Sequence, residues 1–356
     1  MNSSQLCSAL DRMKLTDKTK TAPEPGLTEG MHRLVARISD IKAMEHQLKQ
    51  MKFDLDEMPI SDIRKKFVTK SYQLLRKIED LILENSSKDA LITAHKEYYN
   101  FVPHIGPLRM LENRQGIMQE ANLVKALYVG MLMYDDYIKN SLSSSLRAYQ
   151  LMQCEIREVP ISSHPWILKS LEQTHGPTHD FTLKFKTLYS IEKDENFIPE
   201  LKNNRMLWHG SKTCSYNAIL KCSLKKPPKQ APVSGHLFGK GIYFADCSTK
   251  AAQYCCCKRG ETGYLMICQV ALGKAHRMAE GDYDATNLPP GCHSVKGLGR
   301  RRATVWKAVK RNKRRVLVPF NNKPKVIADG DLEYHEYVVY DRRQVKMRFL
   351  VEVEFC

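Results

Sequence analysis

The first part of the chain has the apolar spacing of amphipathic helices. After Thr28, whose hydroxyl suits a helix N-cap, apolar side chains recur at intervals of three and four positions. They are Met31, Leu34, Val35, Ile38, Ile41 and Met44. The same spacing predicts further helices that start at Ser61 or Asp62, at Lys88 and at Met118, with turns between them. Because this part shows no strand-like alternation, we predict a helical bundle.

The pattern changes to strand-like alternation after a serine-rich junction at 141–145. Strands are predicted at 150–159, 183–192, 206–208, 241–245, 265–272, 336–340 and 345–355. Residues 163–173 form a predicted helix, with Pro165 suited to its first turn. The last strand places Val345, Met347, Phe349, Val351 and Val353 on one face and Lys346, Arg348, Glu352 and Glu354 on the other. The pattern therefore predicts an α+β architecture, in which the helical bundle precedes a domain built on a mostly antiparallel sheet.

The length of 356 residues and the hydrophobic content of 42% suit two folded domains. A polar segment with Pro23 and Pro25 comes first, so we expect residues 1–27 to form a flexible tail. The helical domain is then predicted to cover 28–141, and the sheet domain 142–356.

The chain is strongly basic, with a formal net charge of +17 from 56 Lys and Arg residues against 39 Asp and Glu residues. Such an excess attracts polyanions. Much of it is concentrated in Arg300–Arg302, Lys307 and Lys310–Arg315. This cluster suits nuclear import, binding of nucleic acid or binding of another anionic polymer, whereas a solvated loop would have the same composition. We favour nuclear import and therefore expect a nuclear protein.

The eleven cysteines suggest free thiols in a reducing compartment, because no apolar secretory segment follows Met1. The best apolar run, 126–133, is too short to span a bilayer, so we expect no membrane association. Three adjacent thiols, Cys255–Cys257, cannot easily face one tetrahedral ion. We therefore interpret this run as structural and expect no metal.

The candidate chemistry lies in three segments, which are 207–211, 238–254 and 334–341. The first is a short strand that delivers His209 and then Gly210, and a glycine lets a ligand approach the backbone. The second is a glycine-bracketed loop that leads into Tyr243 and Phe244, with Tyr254 after a helical segment. Together with a distant Glu336, these side chains predict a pocket that stacks a planar ring and holds a ribose.

These segments resemble the catalytic domain of the poly(ADP-ribose) polymerases, whose His-Tyr-Glu triad falls on His209, Tyr243 and Glu336. The segments 269–273 and 289–299 resemble that domain as well. A weaker resemblance, to the regulatory helical domain of the family, extends back to about Met31 and is carried by the turns at 55–59 and 99–104. The resemblance implies that NAD is the substrate and that ADP-ribose is transferred and elongated to poly(ADP-ribose).

The resemblance also implies roles for single residues. Cleavage between nicotinamide and ribose develops positive charge at the anomeric carbon, which the carboxylate of Glu336 would stabilise. His209 and Ser211 would bind the other ribose, and the Gly210 backbone would bind the nicotinamide amide. The residues implied to bind NAD are His209, Gly210, Ser211, Ala218, Lys225, Tyr243, Phe244, Lys250, Ala251 and Tyr254.

Three positions depart from the pattern of the family. Ala251 stands where a serine usually binds the nicotinamide amide, and the lost hydrogen bond is worth about 0.5–1.5 kcal/mol net. Lys225 replaces an arginine near the adenine side and loses its planar bidentate contacts. Ser223 replaces a usual glycine. We expect these changes to weaken NAD binding more than the chemistry.

The sequence leaves several alternatives open. The preferred function is an NAD ADP-ribosyltransferase acting on acceptor proteins, including itself, with DNA or poly(ADP-ribose) as possible ligands of the basic surface. The rivals are a catalytically weak scaffold that binds NAD or polyanions, and a transferase of single ADP-ribose units. In the family the helical domain restrains NAD access until a DNA-reading domain relieves it. Since no zinc-finger pattern is present, either the activator is separate, or regulation differs, or the chain is a shortened version.

Overall fold

The computed structural model describes residues 26–139, 144–311, 314–320 and 331–356. The helices of these residues are α1 (Glu29–Ile38), α2 (Ile41–Gln50), α3 (Lys65–Leu83), α4 (Lys88–Phe101), α5 (Arg114–Lys139), α6 (Ser145–Leu151), α7 (Pro165–Gln173), α8 (Ser215–Cys222) and α9 (Ser248–Ala252). None of the helices described is both long enough and apolar enough to cross a membrane.

The strands begin after α6 and assemble into one large sheet and one small sheet. They are β1 (Glu155–Glu158), β2 (Leu183–Glu192), β3 (Asn204–Gly210), β4 (Ile242–Ala245), β5 (Thr262–Ala271), β6 (Ala275–Met278), β7 (Ser294–Gly297), β8 (Gly299–Arg301), β9 (Val305–Arg311), β10 (Arg314–Phe320), β11 (Leu332–Tyr334), β12 (Glu336–Val339) and β13 (Val345–Phe355). The large sheet has 11 strands in the described chain, with the order β1-β2-β13-β5-β3-β4-β12-β7-β6, and β10 joins β3 to β9. Most pairs are antiparallel; β6 with β7, β3 with β10 and β8 with β11 are parallel. The α+β architecture is confirmed.

The helices before the sheet bury two separate cores. Helices α2 to α5 pack mainly on one another, around residues such as Leu48, Leu75 and Leu127. Helix α1 instead places Leu34 and its other apolar residues in a core with the strands of the large sheet. The hydroxyl of Tyr189 on β2 lies 2.9 Å from the Gly30 carbonyl oxygen, which ties α1 to the sheet. A helix that the sequence groups with the bundle therefore packs physically with the sheet.

The predicted helix starts are corrected at three places, of which one is the helix predicted from Met118, which begins earlier, at Arg114. Thr28 caps α1 as predicted, because its hydroxyl accepts from the Met31 N–H at 3.2 Å. The predicted single helix from Thr28 through Met44 is wrong, since Asp40 caps a second helix by accepting from the Ala43 N–H at 3.0 Å. The helix predicted from Ser61 or Asp62 begins later, at Lys65, because a short 3₁₀ turn comes first.

The junction between bundle and sheet also differs from its prediction. Residues 140–143 lie outside the described residues and include most of the serine-rich junction at 141–145, so the predicted domain boundary at 141 stays a prediction. The strand predicted at 150–159 is wrong in its first part, because α6 extends to Leu151 and the strand covers only Glu155–Glu158. Ser144 caps α6 with its hydroxyl, which accepts from the Arg147 N–H at 3.3 Å.

Strand β13 does not have the single apolar face that its alternation predicts. It lies between β2 and β5, and its register against β5 shifts between Met347 and Phe349. An inserted residue turns every following side chain to the other face of a sheet. Met347 accordingly packs in the core with α1, whereas Phe349 and Val351 pack in the core on the opposite side. Because both faces are covered, Glu352 is buried as well.

The buried Glu352 predicts an unequal cost of truncating two glutamates of β13. Glu352 accepts from the Arg37 guanidinium at 2.9 Å, and its side chain is 6% exposed. Truncation by Glu352→Ala removes this acceptor at the α1 contact, so we expect the free energy of unfolding to fall by about 1–3 kcal/mol. The partly exposed pair of Glu354 with Lys186 is the matched control, and Glu354→Ala should cost less than about 1 kcal/mol. Urea unfolding followed by fluorescence measures both, and equal losses would contradict the prediction.

Candidate active site

His209 stands near the end of β3, where this strand also meets β4. Its Nδ1–H donates to the Tyr243 carbonyl oxygen at 2.9 Å, which fixes the tautomer and leaves Nε2 as an acceptor. Burial, against the opposing effect of the Tyr243 carbonyl oxygen and with a smaller contribution from the charge of Lys125, lowers the pKa of His209 to about 4. The ring is therefore neutral at neutral pH and can accept a hydrogen bond from a ribose hydroxyl.

Gly210 follows at a very close approach between β3 and α9. A Cβ atom at this position would lie 1.8 Å from the Ala251 carbonyl oxygen. The glycine is thus required by the packing of the chain itself, whatever ligand also approaches there. The contact holds α9 directly beside the end of β3.

Tyr243 anchors the glycine-bracketed loop that precedes its own strand. Its hydroxyl accepts from the Phe238 N–H at 3.0 Å and donates to the Gly239 carbonyl oxygen at 2.7 Å. Its backbone lies opposite Val338 of β12. The side chain is therefore held by the loop while its carbonyl oxygen orients His209.

Glu336 begins β12, opposite Ala245 of β4 and Gly297 of β7. Its Oε1 atom lies 3.1 Å from the Nζ atom of Lys250, and the side chains are 9% and 18% exposed. Burial disfavours the charged lysine, but Tyr254 and Glu336 outweigh it and the pKa of Lys250 is raised. The site therefore contains a largely buried ion pair, and the sequence did not indicate this pairing.

The remaining candidate residues divide into three groups by exposure. Tyr254 is 54% exposed, so its ring is accessible for stacking. The Lys250 ammonium lies 5.6 Å from the centre of this ring. Ser211, Ala251 and Phe244 are buried, and Phe244 packs in the core behind the His209 ring, 5.7 Å between the ring centres. Ala218 on α8 is half-buried, and Lys225 is exposed after that helix.

Ser223, which ends α8, keeps a glycine-like backbone. Its φ angle is 61°, in the region that favours glycine. A non-glycine residue there costs on the order of 1–3 kcal/mol, which the surrounding structure must offset. Ser223, where the resemblance implies a glycine, thus adopts a backbone conformation that favours glycine.

The site also includes residues of the helical part that the sequence did not indicate. Glu79 of α3 is buried and accepts from the N–H groups of Val233 and Ser234, at 2.8 and 2.7 Å. These two residues lie in the loop that leads to Tyr243. Lys125 of α5 acts electrostatically on His209 and His236. No local pattern marks Glu79 or Lys125, because their partners lie far away in the sequence.

The family of the chain is shown by comparison with known domains. The model of the poly(ADP-ribose) polymerase catalytic domain matches residues 164–355. The chain belongs to the poly(ADP-ribose) polymerase family. The model of the family's regulatory domain matches residues 26–144 and so covers the helical part.

Several curated relatives match most of the chain. Human poly(ADP-ribose) polymerase 2 is 33% identical over an aligned length of 353 residues, and the match covers 95% of this chain and 60% of the relative. Poly(ADP-ribose) polymerase 1 of Danio rerio is 31% identical over an aligned length of 346 residues, and the match covers 92% of this chain and 34% of the relative. Poly(ADP-ribose) polymerase 2-B of Oryza sativa is 29% identical over an aligned length of 362 residues, and the match covers 96% of this chain and 60% of the relative. The chain thus spans three fifths or less of the length of these relatives.

The close approach at Gly210 predicts that Gly210→Ala disrupts the candidate active site. The added methyl group overlaps the Ala251 carbonyl oxygen, so β3 or α9 has to shift, and both carry site residues. We expect NAD turnover to fall at least about 100-fold, since small misplacements in an active site have costs of this size. Gly116→Ala is the control. Gly116 lies in helix α5, and the added methyl group would be 3.4 Å from the nearest atom, an ordinary contact distance. Equal turnover in the two variants, measured as nicotinamide release, would contradict the prediction.

Proposed function

We propose that the protein is an NAD ADP-ribosyltransferase, which releases nicotinamide, transfers ADP-ribose to acceptor proteins and elongates it to poly(ADP-ribose). The observation that carries the proposal is the site on β3, β4 and β12. There the neutral His209 bonds to the Tyr243 backbone, and Glu336 pairs with Lys250, all within a catalytic domain of this family. NAD is the substrate, and the proposed reaction requires no metal.

The proposed chemistry follows from the Glu336 carboxylate. The bond between nicotinamide and ribose breaks, and its electron pair leaves with nicotinamide. The positive charge that develops on the ribose is stabilised by the carboxylate, which the Lys250 ion pair holds in place. An acceptor oxygen then bonds to the anomeric carbon, and Glu336 accepts its proton. A ribose hydroxyl of the growing chain is one such acceptor, which makes elongation possible.

The rest of the site suits the binding of NAD. The exposed ring of Tyr254 and the ring of Tyr243 would stack on nicotinamide. The backbone of Gly210 would bind the nicotinamide amide, and the Nε2 atom of His209 would accept from the other ribose. Because Ala251 has no hydroxyl, we expect weaker binding of nicotinamide than a serine would give.

Two alternatives remain, each with its own reason. A scaffold that binds NAD or polyanions without turnover is favoured by Ala251, Lys225 and the high positive charge. A transferase of single units would result if the part of the site that receives the acceptor did not fit a growing ADP-ribose chain. The combination of Glu336, its Lys250 partner and His209 supports the elongating enzyme over both. Activation by broken DNA, and self-modification, are proposals that rest on the family alone.

The basic cluster forms a hairpin that we propose to act in nuclear import. Strands β9 and β10 pair antiparallel and expose Lys307, Lys310, Arg314 and Arg315. In the described part of the chain no carboxylate forms an ion pair with Lys307, Lys310 or Arg315, so these charges are open to a partner. Residues 312 and 313 of the cluster lie outside the described residues.

The import proposal predicts a change of distribution in cells. Replacing residues 310–315 by alanine should shift a tagged protein from the nucleus to the cytoplasm, because the exposed charges are lost. The matched control replaces Lys42, Lys49 and Lys96, which are exposed lysines of α2 and α4. An unchanged distribution of the first variant would sink the proposal. Loss of polymer binding with unchanged distribution would assign the hairpin to poly(ADP-ribose) instead.

The transferase proposal predicts the loss of polymer in Glu336→Gln. Without the negative charge, the developing cation is no longer stabilised, so we expect nicotinamide release to fall by about 100-fold or more. Purified protein is incubated with labelled NAD, with and without broken DNA, and the products are resolved by size. The control is Glu333→Gln, a nearby glutamate that pairs with Arg301.

The products separate the proposal from its rivals. Long labelled polymer that disappears in Glu336→Gln supports the elongating enzyme. Single-unit labelling in the unaltered protein would point to the reduced transferase. NAD binding without turnover under every condition would establish the scaffold and overturn the proposal.

A further inference from the structure

Asp246 is a buried carboxylate next to the elements that carry Glu336 and Lys250. Strand β4 ends at Ala245 and α9 begins at Ser248, so Asp246 stands at the junction between these two elements. Its side chain is 0% exposed. Because burying a carboxylate is costly, the contacts that Asp246 makes in return are informative.

Both hydrogen bonds of this carboxylate use the same oxygen atom. The Tyr337 hydroxyl donates to the Oδ2 atom of Asp246 at 3.1 Å, and the Ala303 N–H donates to the same atom at 3.3 Å. The Oδ1 atom is buried and has no hydrogen-bond partner within the described residues. An unpaired buried oxygen costs about 1–3 kcal/mol, so this carboxylate is poorly optimised for stability alone.

Asp246 stays largely charged at neutral pH. Burial raises the pKa of Asp246 to about 6, against the opposing effects of Lys296 and of the two hydrogen bonds. The Lys296 ammonium lies 5.4 Å from the centre of the Tyr337 ring, and the Arg205 guanidinium lies 5.6 Å from the same centre. The Tyr337 hydroxyl therefore donates to an ionised acceptor, which makes a stronger hydrogen bond than a neutral one.

Tyr337 carries this contact to the strand of Glu336. It directly follows Glu336 in β12, so the two side chains project to opposite faces of the sheet. Tyr337 is 1% exposed and packs in the core that the sheet shares with α1. Its hydroxyl therefore anchors the start of β12 from the face opposite the Glu336 carboxylate.

The same junction also carries the partner of Glu336. Lys250 follows Asp246 closely in the chain, on the short helix α9. Its Nζ atom lies 3.1 Å from the Oε1 atom of Glu336. The two members of this ion pair thus come from chain segments that the hydrogen bond between Asp246 and Tyr337 joins.

We propose that Asp246 is a positioning residue, which holds the ion pair of Glu336 and Lys250 in its reactive arrangement through the hydroxyl of Tyr337. The inference rests on the proposed transferase function, in which Glu336 stabilises the developing cation. A loosened start of β12 displaces this carboxylate and leaves the residues that would bind NAD on β3 and β4 in place. The loss therefore falls on kcat rather than on KM.

The test removes the hydroxyl alone by Tyr337→Phe. We expect kcat for nicotinamide release from NAD to fall about tenfold, as for a small misplacement in an active site, while KM changes less than about twofold. Tyr98→Phe is the matched control, since the buried Tyr98 hydroxyl also donates to a carboxylate, that of Glu120 in the helical core, at 2.8 Å. Both variants lose one hydrogen bond of the same type, and only Tyr337→Phe should lose turnover.

Two further comparisons separate positioning from a general loss of structure. Asp246→Asn keeps an oxygen that accepts from Tyr337 and should retain most of kcat, whereas Asp246→Ala should lose about as much as Tyr337→Phe. In the Glu336→Gln background, Tyr337→Phe should have little further effect, because the carboxylate that it positions is already gone. Equal losses in Asp246→Asn and Asp246→Ala would overturn the inference, and so would the same loss from Tyr337→Phe with and without Glu336.

Crystal structures of the variants give a readout that does not depend on turnover. In Tyr337→Phe we expect the contact between Glu336 and Lys250 to open beyond about 4 Å, the limit of an ion pair, whereas Tyr98→Phe should keep it. An ion pair retained in Tyr337→Phe contradicts the inference. If the unaltered protein releases no nicotinamide under any condition, the proposed function fails, and the geometry of the ion pair in Tyr337→Phe decides the inference alone.

Discussion

The site depends on the close approach of two backbones at Gly210. The Ala251 carbonyl oxygen occupies the space that any other side chain would need, and so α9 rests against the end of β3. His209 directly precedes this contact on one side, and Lys250 directly precedes it on the other. Lys250 reaches Glu336 from this position, and Tyr254 follows on the same short segment. A single steric constraint thus sets the relative positions of the groups that would bind NAD and carry its cleavage.

The helical part is built into the site rather than attached beside it. Helix α1 shares the core of the sheet, and its Arg37 reaches the buried Glu352. Glu79 of α3 holds the loop that leads to Tyr243 through two backbone hydrogen bonds. A displacement of α3 leaves these N–H groups or the carboxylate without a partner, which is costly for buried groups. Specific polar contacts therefore couple the position of helix α3 to the loop, in addition to any steric effect of the helices on the site.

The departures that the resemblance implies would lie around the proposed substrate rather than at Glu336. Ala251 would leave nicotinamide without a hydroxyl partner, and Ser223 has a φ angle of 61°, which favours glycine. The basic hairpin, whose strand β10 pairs with β3, adds exposed charge. By contrast, Glu336 keeps its ion pair with Lys250, and the Tyr243 carbonyl oxygen fixes the His209 tautomer. Such a distribution alters affinity and partners and leaves the proposed chemistry in place.

The sequence by itself determined the features that depend on neighbouring residues. The cap at Thr28 and the bounds of β2 follow from contacts within one turn or one strand. His209, Tyr243 and Glu336 could be selected because each lies in a contiguous segment of distinctive composition. Only the tertiary structure decided which elements share a core and which distant charges meet. The residues of β13 alternate as predicted, but the bulge after Met347 turns the following side chains to the opposite face of the sheet. The pairing with β5, and not the local pattern, therefore decides which face each side chain of β13 occupies. Glu79 has the local pattern of an ordinary helix-surface residue, since its partners Val233 and Ser234 lie more than a hundred positions away in the sequence.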